Sequence, residues 1–149
     1  MNNDILVVED DDFKLERLSR TLLEADPSAA ITVAKSVRAA IEKLGREYRL
    51  IILDMALPSH PMKPGTSPAT SLPSGGIEIL LELAYTSRSD KVVVVTQFQE
   101  IEIEERLVPT RAALDAFLEQ GMDNVIAVLH YMPEADGWAA ELKKIASLS

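Results

Sequence analysis

The sequence predicts an α/β protein with a doubly wound, five-stranded parallel sheet and helices on both faces. Two observations support this fold class. Short runs of Val, Ile and Leu alternate with longer amphipathic segments five times along the 149 residues. The runs are continuously apolar, which is typical of strands that are covered on both faces, as in parallel sheets. We expect right-handed crossovers between these strands.

The five predicted strands are rich in β-branched residues and too short to be helices. In chain order they are 4–9, 30–36, 49–54, 91–97 and 124–129. The second of them, "AITVAKS", has the weakest pattern. Five helices are predicted between and after the strands: 12–26, 36–48, 76–87, one within about 100–120, and 133–148.

The helix ends carry recognisable signals. Asp11 or Asp12 is suited to cap the first helix, and Ser36 the second. Pro109 is expected to start or kink the fourth helix, and Pro133 lies near the start of the fifth. The apolar residues of the first helix are predicted to lie mostly on one face: Phe13, Leu15, Leu18, Leu22 and Leu23. In the last helix, Trp138 and Leu142 are predicted to be core residues.

The segment 55–76 interrupts the alternation of strands and helices. It holds five prolines and three glycines and predicts a loop without regular structure. Its length is unusual for a compact domain and indicates a functional or mobile insertion. A surface loop without a function at 59–74 fits the sequence equally well.

Composition excludes several classes of function. A net charge of −9 argues against a general nucleic-acid binder, which needs Lys and Arg to neutralise phosphates. The absence of cysteine excludes disulfides and thiolate metal sites. No apolar run approaches the ~20 residues that span a bilayer, and no signal peptide is visible. We therefore expect a soluble cytoplasmic protein with no membrane partner.

Acidic residues follow two of the predicted strands. Glu9 and Asp10 end the first strand, and Asp54 ends the third. Ligands of doubly wound sheets bind at the carboxyl ends of strands, so three carboxylates converge if these strands are neighbours. Their mutual repulsion calls for a cation or for raised pKa values, and an all-oxygen site suits Mg²⁺. A single Asp after a strand is more often a helix cap, but two such clusters favour a site.

Four stretches, "ILVVEDDD", "LIILDMALP", "VVVVT" and "EQGMDNVI", resemble the response-regulator receiver domain of bacterial phosphorelays. The resemblance implies a flavodoxin-like fold with strand order 2-1-3-4-5. It also implies a single receiver-like domain over 1–149, with long insertions at about 55–75 and 98–110.

The resemblance also implies roles for individual residues. Asp54 is the phosphoryl acceptor, and its donor is a phosphohistidine on a histidine kinase or phosphotransfer protein. The hydroxyl of Thr96 hydrogen-bonds the phosphoryl group, and Pro58 shapes the loop after the acceptor. The protein ligands of Mg²⁺ are Glu9, Asp10, Asp54 and the backbone carbonyl of Ala56.

The sequence departs from the family pattern in its last strand. The family lysine is expected near Val128, yet "NVIAVLHYMPE" contains no lysine. Val125 stands where an aromatic residue is expected. Gln97 follows Thr96, where a small residue is common, and is predicted to narrow access to the acceptor. These departures are expected to weaken phosphate stabilisation or to uncouple phosphorylation from the usual rearrangement.

Other polar residues are less suited to be site residues. Lys63, in the first insertion, is a candidate substitute for the missing lysine but is not expected to replace it. His130 lies near the lysine position, where a surface or capping role is the more common outcome. His60 lies in the Pro-rich loop. The two histidines have no second His or Cys at ligand spacing, so a zinc site is not expected.

Three functions compete. The first is a signalling receiver that acts on a downstream protein partner in trans and is an enzyme only in its own phosphorylation and dephosphorylation. The second is a phosphorylation-independent pseudo-receiver that serves as a binding scaffold; the missing lysine favours it, whereas the intact acidic residues and Thr96 oppose it. The third is a Mg²⁺-dependent phosphatase-type enzyme, which needs a general acid that Ala56 does not offer.

Overall fold

A computed structural model describes residues 2–58, 71–72 and 75–148 of the chain. The strands are β1 (Asp4–Val8), β2 (Ala30–Ala34), β3 (Leu50–Leu53), β4 (Leu57–Pro58), β5 (Ser71–Leu72), β6 (Val92–Thr96), β7 (Glu100–Ile103), β8 (Arg106–Pro109) and β9 (Val125–His130). The helices are α1 (Asp12–Ala25), α2 (Val37–Lys43), α3 (Gly75–Tyr85), α4 (Thr110–Glu119) and α5 (Gly137–Leu148). None of these helices is long and apolar enough to cross a membrane.

Five parallel strands form the central sheet in the order β2-β1-β3-β6-β9. Counted among the five strands of this sheet alone, the order is 2-1-3-4-5, which confirms the predicted fold. The direction of winding reverses between β1 and β3, which are hydrogen-bonded neighbours. This junction is the topological switch point, where doubly wound sheets bind their ligands.

The sheet separates two hydrophobic cores. Successive strand residues face opposite sides, so Leu6 and Val8 pack into one core while Ile5 and Val7 pack into the other. The first core lies beneath α2, α3 and α4, and the second beneath α1 and α5. The second core includes Trp138, as predicted. Burial on both faces explains why the strands read as continuous apolar runs.

Helix α1 begins after Asp11, whose Oδ1 accepts a hydrogen bond from the backbone N–H of Phe13. The predicted apolar face is only partly correct. Phe13 is 63% exposed and Leu23 is 41% exposed, while Leu18 and Leu22 are buried. Lys14 is buried beside them, at 1% exposure.

The segment 100–109 is a β-hairpin. The predicted helix within about 100–120 is therefore wrong over its first half. Strands β7 and β8 pair antiparallel, with Ile101 opposite Val108. Ile101 and Ile103 are buried in the first core, and the glutamates between them are exposed. Pro109 immediately precedes α4, as predicted. The apolar side of the hairpin is buried because it packs in the same core as α4.

Further details also differ from the sequence prediction. Helix α2 ends at Lys43 instead of near residue 48, and α5 begins at Gly137 instead of near Pro133. Within 55–76, β4 and β5 form a short antiparallel pair in which Leu57 is opposite Leu72. The remainder of this segment, which includes Lys63 and His60, lies outside the described residues.

Candidate functional site

The carboxyl ends of β1 and β3 lie side by side. Their register pairs Val8 with Leu53, and the backbone N–H of Asp54 donates to the carbonyl oxygen of Val8 at 3.0 Å. The N–H of Glu9 donates to Ala34 O at 3.0 Å, which ties the end of β1 to β2 as well. Backbone hydrogen bonds therefore fix the positions from which the acidic side chains extend.

Three carboxylates converge at this edge. One oxygen each from Glu9, Asp10 and Asp54 lies within 4.8 Å of the others. Glu9 is 1% exposed and Asp54 is 3% exposed, whereas Asp10 is half-buried. The sequence placed these residues at strand ends, and the adjacency of β1 and β3 brings them together.

Burial makes the charged forms of these acids costly. It raises the pKa of Glu9 to about 8, with a further increase from the negative charge of Asp54. Burial is also the largest cause of the raised pKa of Asp10 and of Asp54. The nearby ammonium of Lys14 opposes the rise in the pKa of Glu9 and of Asp54 but does not cancel it.

Among the described residues, Lys14 places its ammonium in this cluster, and it was not among the residues predicted for the site. Its Nζ lies 2.7 Å from Glu9 Oε1 and 3.5 Å from Asp54 Oδ1. The same ammonium donates to Val95 O at 2.8 Å and to Gln97 Oε1 at 3.4 Å. A signal for it exists in the sequence, because positions 14, 18, 21 and 22 share the buried side of α1.

The end of β9 faces this cluster without a lysine. Register pairs Val128 with Val94 and His130 with Thr96, and no residue from 125 to 132 is a lysine. Tyr131 follows the strand, and its ring centroid lies 5.4 Å from the Lys14 ammonium. One ring nitrogen of His130 lies 3.1 Å from the carbonyl oxygen of Gln97. The residue that follows this strand, Tyr131, therefore contributes an aromatic ring beside the Lys14 ammonium.

The remaining predicted residues lie at or after the ends of β3 and β6. Thr96 is fully buried at the end of β6, and its Oγ1 accepts a hydrogen bond from the N–H of Phe98 at 3.2 Å. The N–H of Ala56 is directed at Asp54 Oδ1 over a long 3.5 Å. Pro58 lies in β4, paired with Ser71. Gln97 is exposed and contacts Lys14, so it borders the ammonium.

Sequence comparison finds a close relative. The Detocs response regulatory protein DtcB of Vibrio alginolyticus is 35% identical over 138 residues, which cover 90% of this chain and 93% of that protein. The chain belongs to the response-regulator receiver family. No family model matches the receiver sequence.

Solved receiver structures share the fold of this receiver. A two-component response regulator from Legionella pneumophila is 26% identical with a TM-score of 0.62, covering 98% of each chain. A Thermotoga maritima response regulator in complex with Mg²⁺-BeF is 20% identical with a TM-score of 0.59. It covers 97% of this chain and 99% of its own. The likeness extends over nearly the whole receiver chain.

The acidic cluster of the receiver fits a hard divalent cation. Its donors are all carboxylate oxygens, which Mg²⁺ prefers. Glu9 Oε1 is buried, and the Lys14 ammonium lies 2.7 Å from it. Three carboxyl groups gathered at one edge of the sheet have the chemistry of a metal ligand set.

Close packing of α3 fixes the backbone of the receiver at Asp54 and Met55. The N–H of Gly76 donates to Met55 O at 2.9 Å. A Cβ added at Gly76 meets the carbonyl oxygen of Asp54 at 2.7 Å and Met55 Sδ at 2.9 Å. Backbone atoms cannot give way without moving Asp54, so only glycine permits this approach.

We expect Gly76→Ala to lower the free energy of unfolding by about 2 kcal/mol, because overpacking against backbone is relieved only by shifting it. The melting temperature falls by roughly 5 °C, measured by circular dichroism. Gly137→Ala is the matched control, since nothing lies within 4 Å of its added Cβ. Equal melting temperatures for Gly76→Ala and the wild type contradict the tight contact.

Proposed function

We propose that this receiver accepts a phosphoryl group on Asp54 from a phosphohistidine donor in a Mg²⁺-dependent reaction, and that it signals to a downstream protein partner in trans. One observation carries the proposal. The Asp54 carboxylate lies within 4.8 Å of the carboxylates of Glu9 and Asp10 and 3.5 Å from a buried ammonium. A carboxylate that approaches an anionic phosphoryl group needs positive charge beside it, and this site offers one ammonium together with oxygen ligands for a cation.

The transfer requires few protein groups. A carboxylate oxygen of Asp54 attacks phosphorus, an O–P bond forms, and the N–P bond of the phosphohistidine breaks. The imidazole leaves with the electron pair and regains a proton from solvent. Thr96, buried at the end of β6, supplies the hydroxyl that hydrogen-bonds the transferred group.

A bound Mg²⁺ offsets the repulsion between the acceptor carboxylate and the phosphoryl oxygens. Glu9, Asp10, Asp54 and the backbone carbonyl of Ala56 are the proposed protein ligands. The Thermotoga maritima structure, which contains Mg²⁺-BeF, supports this assignment by analogy. A histidine kinase or a phosphotransfer protein is the proposed donor, as the response-regulator name of the Vibrio relative suggests.

The proposal predicts the addition of one phosphoryl group when the protein is incubated with Mg²⁺ and a small phosphodonor such as acetyl phosphate. Intact-mass spectrometry measures the adduct. Asp54→Asn removes the nucleophile and abolishes it, whereas Asp115→Asn, an exposed residue of α4, leaves it unchanged. An adduct of equal size on Asp54→Asn contradicts the assignment of the acceptor.

Asp54→Asn also tests the electrostatic state of the site. Because burial raises the pKa of Asp54, its charged form destabilises the folded protein at neutral pH. The neutral amide is therefore expected to unfold at an equal or higher temperature than the wild type in metal-free buffer. Calorimetry measures both proteins, and a large fall in the melting temperature contradicts a strained acidic cluster.

A phosphorylation-independent scaffold is the second candidate, and the absence of lysine from residues 125–132 favours it. The two functions give different results with a cognate kinase. A scaffold binds its partner without a phosphoryl adduct, whereas the proposed receiver binds differently before and after transfer. Turnover of a phosphoester would indicate a phosphatase-type enzyme instead.

A further inference from the structure

We infer that Lys14 supplies the ammonium that contacts the phosphoryl group on Asp54, in place of the lysine that the family resemblance places near Val128. The cation thus comes from the first turn of α1 instead of from the end of β9. The inference rests on the proposed function, because it assigns a contact to the same transferred group.

Distances and burial support this assignment. Lys14 Nζ lies 3.5 Å from Asp54 Oδ1, close enough for the ammonium to reach an atom bonded to that carboxylate. The lysine is 1% exposed, although its residue type is almost always exposed. Burial of an ammonium is unfavourable unless acidic groups compensate for it. The fold therefore holds this cation at the acceptor with little freedom to turn away.

Other contacts hold the ammonium beside the residue proposed to bind phosphate. Lys14 Nζ donates to the carbonyl oxygen of Val95, the residue immediately before Thr96. Gln97, immediately after Thr96, accepts a second hydrogen bond through Oε1. The ammonium is thus attached on both sides of Thr96, so the cation and the hydroxyl occupy the same end of β6.

The end of β9 presents an aromatic ring to the ammonium. The Tyr131 ring centroid lies 5.4 Å from Lys14 Nζ, an attractive cation–π distance. The Tyr131 backbone N–H donates to Thr96 O at 2.7 Å, which ties this residue to the end of β6. Tyr131 thus lines the end of β9 while α1 provides the charge. A second ammonium beside Lys14 would be repelled by the first.

A purely structural ion pair between Lys14 and Glu9 is the competing explanation, and the make-up of the cluster argues against it. Lys14 Nζ reaches Asp54 as well as Glu9, with Asp10 close to both. In the described part of the chain, one ammonium thus serves three acidic side chains, two of them almost fully buried. An ion pair built only for stability needs one buried acid for one ammonium.

The test compares the wild type with Lys14→Met, which keeps the length of the side chain but removes its charge. Two quantities are measured at saturating Mg²⁺: the rate of phosphorylation by acetyl phosphate, and the affinity for beryllofluoride by calorimetry. We expect Lys14→Met to lower both by roughly 10- to 100-fold, as expected for the loss of a hydrogen bond to a charged group.

The matched control is Lys35→Met. Lys35 also pairs with an acid of the first turn of α1, Asp12, but it is half-exposed and is not a partner of Asp54. We expect Lys35→Met to keep the wild-type phosphorylation rate and beryllofluoride affinity. A Lys14→Met protein with the wild-type rate and affinity overturns the inference. A Lys14→Met protein that also loses Mg²⁺ binding overturns it too, because Lys14 would then maintain the site and not contact the phosphoryl group.

Failure of the inference is distinguishable from failure of the proposed function. If the wild type accepts the phosphoryl group and Lys14→Met does so equally fast, only the role of Lys14 is wrong. If the wild type neither takes a phosphoryl group nor binds beryllofluoride, the proposed function is wrong, and the role of Lys14 falls with it.

Discussion

Glu9→Gln is expected to stabilise the metal-free protein strongly at alkaline pH and hardly at all under acidic conditions. The pKa of Glu9 is raised from 4.5 to about 8 by burial and by the charge of Asp54. Each pKa unit corresponds to about 1.4 kcal/mol of preference between protonation states, so the full effect is on the order of 5 kcal/mol. Glutamine resembles the protonated acid and does not titrate.

The direction in which stability changes with pH follows from proton binding. The folded protein holds the Glu9 proton more tightly than the unfolded chain, because its folded pKa is the higher one. Stability from this group is therefore fully present below pH 4.5 and is lost as pH rises through about 8. The wild-type free energy of unfolding decreases across this window relative to that of Glu9→Gln.

Urea titrations of both proteins at several pH values, in the presence of a chelator, measure this difference. Glu24→Gln is the control, because Glu24 is exposed and its pKa is lowered by Lys143. The stability that Glu24 contributes is lost only as pH falls below the ordinary glutamate pKa. Glu24→Gln therefore does not change how the free energy of unfolding varies between pH 5 and 8. Parallel profiles for the wild type and Glu9→Gln contradict the buried acidic cluster.

Lys14→Met is expected to tighten Mg²⁺ binding at least about tenfold. The ammonium contacts Glu9 Oε1 at 2.7 Å and so competes for an oxygen of the proposed ligand set. Removing one positive charge close to a divalent cation is worth about 1.5 kcal/mol or more even at the dielectric constant of water. A fall of 1.4 kcal/mol in binding free energy is a tenfold change in Kd.

Calorimetric titration with MgCl₂ at low ionic strength measures this effect. The loss of Lys14 would thus strengthen cation binding while weakening beryllofluoride binding, a crossed pattern that a misfolded site cannot produce. Lys35→Met is again the control, and we expect a Kd for Mg²⁺ close to that of the wild type. Weaker Mg²⁺ binding by Lys14→Met contradicts competition between the ammonium and the cation.

The sheet and the acidic cluster could be predicted because their signals are local. Strands buried on both faces need continuous apolar runs, so β1, β3 and β6 were recognisable from their residue types. Parallel strands also end at one edge, so the positions of Glu9 and Asp54 in the sequence implied their positions in the fold.

Lys14 was missed because its burial depends on contacts that are distant in the chain. A lysine in a helix is ordinarily solvated, and its partners Asp54 and Val95 lie on β-strand ends brought together only by the sheet. The helical spacing from Lys14 to Leu18 and Leu22 was present, but hydrophobicity alone places a lysine outside the apolar stripe.

The β7–β8 hairpin was missed for a different reason. "EIEI" has the two-residue period of a half-buried strand, yet its charge favoured a polar helix. The connecting residues, Glu104 and Glu105, both adopt positive φ, at 54° and 63°. Two-residue hairpin loops of this kind normally carry Asn or Gly, so the usual turn signal was absent from the sequence.

Borohydride reduction of the phosphorylated protein tests the central claim most directly, because it converts an aspartyl phosphate into homoserine at the modified position. The protein is treated with acetyl phosphate and Mg²⁺, reduced, digested and sequenced by tandem mass spectrometry. We predict homoserine at position 54 in the wild type and none in Asp54→Asn. Homoserine at another aspartate, or none in a protein that carries the phosphoryl mass, would contradict Asp54 as the acceptor.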